Sequence, residues 1–356
     1  MASVNAELLN QQINHAVSLV KFGSHLSKEV NKLLDTILSE MSDVLAARLV
    51  KIREAGYDTG PATTKRITQM LDDIRPLISD VYAKTYDKLE TDLTELANHE
   101  AKWQVASLNK AITVDLKAVV PSPTLLQTVA TETSMNGYLL KPYVDGMEAG
   151  TVARIDQAVR VGVATGQGIE DIVRSIKGTK AANYRDGVIE TSRRSARTLV
   201  RTAVNHVANQ AAQETYKRNE HLIDQYQWVS VLDDRTTIEC GDLDGQIFDV
   251  GDGPLPPAHL ACRSTTIPIT KSFEELGLPA REYDAQSRAS MDGEVPQRTT
   301  FAEWLPKQST ERQVAVLGAT RQKLYADGKL DLRDFLRGNH EVMTLDELKR
   351  QHPDAF

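Results

Sequence analysis

Gln227-Trp228-Val229-Ser230, Gln246-Ile247-Phe248-Asp249 and Ser264-Thr265-Thr266-Ile267-Pro268-Ile269 are short runs rich in β-branched and aromatic residues, the composition and length of strands. Between the second and the third lies Gly251-Asp252-Gly253-Pro254-Leu255-Pro256-Pro257, which suits neither a helix nor a central strand. Three short strands around such a loop predict a small antiparallel sheet. Most of the chain on either side has helical periodicity, so this stretch sets the class: α+β, predominantly helical, a small sheet with flanking helices and a long N-terminal helical hairpin.

Toward the N-terminus, Ser192 to Arg218 reads as a long alanine-rich helix. Before it, Ile155 to Thr165 ends at Gly166, and Ile169 to Ile176 ends at Gly178, glycines placed to cap a compact helix pair. Val119 to Asp145, broken by Pro121, Pro123, Gly137 and Pro142, reads as a linker. Earlier still, Val30, Leu34, Ile37, Met41, Leu45, Leu49 and Ile52 step by three or four along one helix face. After a break from Gly56 to Pro61, the period resumes through Leu71, Ile74, Ile78, Val81, Leu89, Leu93 and Leu96. Pro76 falls inside this second run and predicts a helix start or a kink there. Toward the C-terminus, Gln286 to Thr300 is polar, and helical spacing returns through Trp304, Val314, Leu317, Leu324 and Leu336 to Thr344-Leu345-Asp346-Glu347-Leu348. The expected division is a docking hairpin at 1–118, a linker at 119–145, a motif-bearing domain at 146–284 and a helical tail at 285–356.

A chain of 356 residues with 41% apolar content can fill substantial cores. Forty-nine acidic against 42 basic residues leave a net charge of −7, so no global field draws the protein to phosphate backbones and any DNA contact is local. No run reaches the ~18 apolar residues of a membrane span, and Met1 to Gln12 lacks a secretory pattern, which predicts a soluble chain made in a cytoplasm. The only two cysteines, Cys240 and Cys262, sit in the strand-and-loop stretch, which excludes a disulfide scaffold and leaves a thiol pair or metal ligands.

Cys240, His259 and Cys262 offer soft donors, and His259-x-x-Cys262 can place two of them on one turn around a metal. With Asp234 or Asp244 as a fourth ligand the set would close a structural zinc site. Two small buried thiols and a histidine hydrogen-bonding across the loop are the plainer alternative. Cys262 with His259 could also form a nucleophile and base, but no orienting Asp or oxyanion donor accompanies them; Asp233, Asp234 and Asp244 could gather magnesium, although acidic turn residues more often cap turns. An architectural role fits Arg235 as a clamp on Asp244 and Gly245 as the positive-φ residue of the turn into the next strand. Arg193, Arg197 and Arg201, joined by Arg194, recur on one helix face as a local DNA or protein contact, or pair with carboxylates such as Glu190.

Several of these places together resemble the phage Mu F-like minor head protein (phage head morphogenesis) family. They are Arg154 to Gly162, Gly166-Gln167-Gly168, Asp171 to Ile176, Ala196-Arg197-Thr198-Leu199-Val200-Arg201-Thr202, Trp228, Asp234-Arg235-Thr236, Cys240, Leu243-Asp244-Gly245-Gln246 and Pro256-Pro257-Ala258-His259-Leu260-Ala261-Cys262-Arg263. Phe301 to Leu305, Leu317 to Arg321 and Leu324 to Leu330 extend the resemblance to the C-terminus. Ala203 stands where the family carries a glutamate, and Thr237 and Ser264 stand where it often carries further cysteines. The resemblance implies structural motif roles for Arg201, Thr202, Trp228, Arg235, Gly245 and Arg263, with Arg201 in a buried pair. It also implies a non-enzymatic virion component of the head near the portal vertex, present in the host cytoplasm during assembly and acting in head assembly and in DNA packaging or ejection. The partners it implies are the portal protein, the major capsid or scaffolding protein, further copies of the chain, and phage DNA locally. The competing class is a metal-dependent enzyme acting on DNA or a nucleotide.

Overall fold

The computed structural model describes residues 4–54, 60–112, 117–182, 184–272, 275 and 287–356. Its elements run α1 (Val4–Glu54), α2 (Pro61–Ala111), α3 (Pro123–Thr131), α4 (Leu140–Ala164), α5 (Ile169–Lys177), α6 (Val188–Arg218), β1 (Ile223–Val229), α7 (Ile238–Leu243), β2 (Ile247–Asp249), β3 (Thr265–Thr270), β4 (Ser287–Ser290), β5 (Gly293–Pro296), α8 (Phe301–Trp304), α9 (Thr310–Leu317), α10 (Ala319–Ala326) and α11 (Leu345–Gln351). The chain is α+β and predominantly helical. The break at Gly56 and the boundary at Asp284 lie outside the described residues.

Helix α1 starts well before Val30 because its stripe continues through Leu26, His15, Gln12, Leu8 and Val4, all buried. Two of those core positions carry polar side chains, which hides the period from a reading based on apolar residues. Helix α2 mirrors this, with Glu100 and Gln104 buried on its own continuing stripe. It begins at Pro61, where a missing N–H costs nothing, and it continues through Pro76 rather than starting there. The stretch expected to be a linker holds α3 and the first turns of α4. Pro123 opens α3 and Pro142 lies in the first turn of α4, positions where proline is compatible with a helix.

The described chain gathers into two compact units, each discontinuous in sequence. One comprises Val20–Glu95 and Gln127–Val204. Within it the apolar stripe from Val30 to Ile52 is buried, each such side chain contributing about 1.5–3 kcal/mol by leaving water. Antiparallel pairing of α1 with α2 is marked by ion pairs Arg48–Asp73 at 2.5 Å and Lys88–Glu29 at 2.7 Å. Tyr82 on α2, Thr151 on α4 and Ser192 on α6 form a buried hydroxyl chain with 2.7 Å links. Helices α4 and α5 approach so closely at Gly162 that a Cβ there would lie 2.5 Å from Ile172 Cγ1.

The other unit comprises Met1–Leu19, Leu96–Leu126 and Asn205–Phe356. Its three-stranded sheet has the order β2-β1-β3, both pairings antiparallel. Adjacent strand residues face opposite ways. Val229 and Ile267 accordingly pack with Leu9 of α1, whereas Trp228 packs with Cys240, Leu243 and Cys262. A second cluster joins Val4, Leu8, Leu108 and Ile112 to Tyr216, Ile223 and Tyr226, so the first turns of α1 and the last of α2 share a core with the sheet. A polar ladder runs beside it: His15 Nε2 to Glu100 at 2.5 Å, Gln104 to Glu100 and to Gln12, and Gln12 to Thr265 Oγ1 on β3. The polar stretch before Thr300 contains the β4–β5 hairpin, with Gly293 at φ +107° after a two-residue Met291-Asp292 connection. The final helices close on their own core of Phe301, Trp304, Leu305, Leu324, Phe335 and Leu348, which also takes in Leu232 and Ile238.

Candidate functional site

Trp228 fixes the floor of the motif. It is fully buried, and its indole N–H donates to Ser230 Oγ at 2.9 Å while that hydroxyl donates to the Cys240 carbonyl at 2.6 Å. Thr237 caps α7 by accepting from the Cys240 amide. From the other side, the loop after β2 returns through a turn in which the Cys262 amide donates to the His259 carbonyl at 3.2 Å. The two sulfurs therefore lie 3.7 Å apart, and one donor atom each from Cys240, His259 and Cys262 lie within 4.8 Å of one another. His259 Nδ1 donates to the Leu260 carbonyl at 2.9 Å, which leaves Nε2 to carry the ring's lone pair.

The Cys240 sulfhydryl donates to Cys262, and that bond together with burial raises its pKa. Cys262 is lowered well below the ordinary thiol range by the Cys240 bond and by His259, against the effect of its own burial. His259 is raised, first through its hydrogen bond with Cys262. Thiolate and imidazole so arranged can ligate a metal or act as nucleophile and base. At 3% exposure Cys262 is closed to a bulky substrate in this conformation.

Neither expected fourth ligand joins the three. The Asp244 carboxylate, fully buried, accepts from both terminal nitrogens of Arg288 at 3.0 and 3.1 Å, from the Ser230 amide and from the Phe301 amide, each at 2.7 Å. Asp234 is half-buried and outside the cluster. The acidic trio does not converge on a common ion among the described residues, because Asp233 is held by Arg263 through bonds of 2.6 and 2.7 Å. Burial would raise the Asp233 pKa, and the Arg263 pair outweighs it, so the net shift is downward.

The expected clamp on Asp244 exists, but Arg288 supplies it. Arg235 is exposed and turns toward Asp233 at 3.4 Å. The signal for the hairpin that carries Arg288 lay in Gly293, which follows the Met291-Asp292 turn and supplies its positive φ. Gly245 has φ +86°, as the turn requires, and a Cβ there would come within 2.9 Å of Thr300. Thr202 is buried and donates to the Thr198 carbonyl. Arg201 is exposed on α6, contrary to the buried pair expected of it, since it shares the outer face of the helix with the exposed Thr191 and Arg194. Arg193, Arg194 and Arg197 converge on Glu190, closest from Arg197 at 2.6 Å, and Arg193 also pairs with Asp35. Burial pushes the Glu190 pKa up, and these guanidinium groups, Arg197 foremost, bring it below the ordinary value.

No curated protein and no solved structure matches the chain. The family model described as Phage Mu protein F like protein matches residues 153–267. That segment runs from within α4 to the middle of β3 and includes the Cys/His cluster and the Asp233–Arg263 pair. It leaves out Arg288, the second half of the Asp244 clamp. Over this segment the chain is similar to the phage Mu F-like proteins, whose family is associated with phage head morphogenesis.

Proposed function

We propose that this chain is a minor head protein with a structural role in head assembly at the portal vertex, and that it contributes there to DNA packaging or ejection. The match of residues 153–267 to the head morphogenesis family carries the reading. Support also comes from the site: the buried acids Asp233 and Asp244 are committed to arginines, as befits a brace between loop, hairpin and helix. In this reading 1–118 is the docking hairpin, 119–145 the connection, 146–284 the motif-bearing body and 285–356 the C-terminal tail. The partners are the portal protein first, the major capsid or scaffolding protein second, and phage DNA locally through Arg193, Arg194 and Arg197. The chain is placed in the virion head and, during assembly, in the host cytoplasm. No helix among the described residues is long and apolar enough to cross a membrane.

Co-expression of the full chain with the portal protein of the same phage tests this. Co-elution as one assembly is expected. A chain that elutes alone, and is absent from purified heads, would contradict it. Magnesium-dependent cleavage of DNA by the pure protein would favour the enzyme class instead.

A further inference from the structure

We propose that Cys240, His259 and Cys262 form a three-ligand zinc site whose fourth position opens to a small cavity and is taken by exchangeable solvent, not by a protein side chain. Two thiolates bound at about 2.3 Å to one tetrahedral ion stand about 3.8 Å apart; the sulfurs lie 3.7 Å apart already. A disulfide would require about 2.0 Å. The third donor needs only a small ring movement, since all three lie within 4.8 Å. His259 is prepared for it: Nδ1–H on the Leu260 carbonyl is the outer bond that fixes a ligating imidazole and directs Nε2 at the ion. Two thiolates and a neutral imidazole cancel the charge of a divalent ion, so the centre can be buried without an uncompensated charge.

The fourth position follows from what surrounds the cluster. Asp244 is spent on Arg288 and two amides, and the neighbouring side chains at Thr237 and Ser264 are hydroxyls, bonded to the Cys240 amide and to Ser230. A cavity of ≈ 30 Å³ adjoins Cys240 and His259, edged by Arg235 and Ser264, enough for one water. Three protein ligands and a solvent position make a centre that can bind small anions, unlike a closed structural zinc site.

The untagged full-length chain, purified under reductant without chelator, should carry about one zinc per chain by elemental analysis. His259→Gln and Cys262→Ser should both bring zinc to background; the circular dichroism of His259→Gln should match wild type, which separates loss of a ligand from loss of fold. Cobalt(II) loaded in place of zinc should show sulfur-to-metal charge transfer and a four-coordinate visible spectrum that shifts on adding azide. Wild-type protein that neither holds zinc nor takes up cobalt(II), or zinc retained by both variants, would overturn the site. A cobalt(II) spectrum indifferent to azide would overturn the open position. A metal-free chain two mass units light would assign the cysteines to a disulfide and likewise overturn the proposal.

Discussion

Asp244 and Arg288 are the residues on which the motif turns. Both are buried, and together they tie the turn after α7 to the β4 strand and the start of α8. Removing one member strands the other charge in the interior, at a cost of about 3–5 kcal/mol. Arg288→Ala should therefore lower the urea midpoint strongly, while Arg235→Ala, an exposed side chain, should leave it nearly unchanged; the reverse ranking would restore Arg235 as the clamp. Asp233 supplies a pH test. Its folded pKa is depressed, so its pairing with Arg263 stabilises the protein above the unfolded aspartate value of about 3.9 and fades as pH falls toward the lower folded value. The stability gap between wild type and Asp233→Asn should be widest near neutrality and close in acid, and a gap that stayed constant with pH would show that the carboxylate charge plays no part.

At the scale of elements, close approach explains what composition could not. Gly162 lets α4 and α5 meet over Ile172, so Gly162→Ala should destabilise by about 1–3 kcal/mol despite alanine's better helix propensity. Adding Ile172→Ala should recover part of that loss in thermal unfolding, and a stabilised single variant would show that the helices have room to spare. Much of the fold was legible in sequence because long apolar stripes and short β-rich runs have distinct periods; β1 to β3, the Gly166 and Gly178 ends and the positive φ at Gly245 all follow from local chemistry. The N-terminal reach of α1 was not legible, since Gln12 and His15 occupy core positions and are satisfied only by Glu100, Gln104 and Thr265, far away in sequence. Pro123, which opens α3, and Pro142, in the first turn of α4, looked like breakers because the meaning of a proline depends on its position within an element. At the site, the nearness of Cys240, His259 and Cys262 could be read from the loop, whereas the partner of Asp244 could not: Arg288 lies 44 residues further on.

For the whole molecule, the ends of the long hairpin belong to the same core as the sheet, through Val4, Leu8, Leu108 and Ile112. Deleting residues 1–115 should therefore leave Tyr216, Ile223 and Tyr226 exposed and the remainder aggregated or molten by near-ultraviolet circular dichroism; a well-folded fragment would show that the motif-bearing body needs no helical support. The family match concerns head morphogenesis, and assembly is where the account stands or falls. Mass spectrometry of purified heads from wild-type phage and from a phage lacking this chain is the most direct measurement: the account predicts the chain in wild-type heads together with the portal protein, and defective heads without it. Complete, infectious particles formed in its absence would contradict the account.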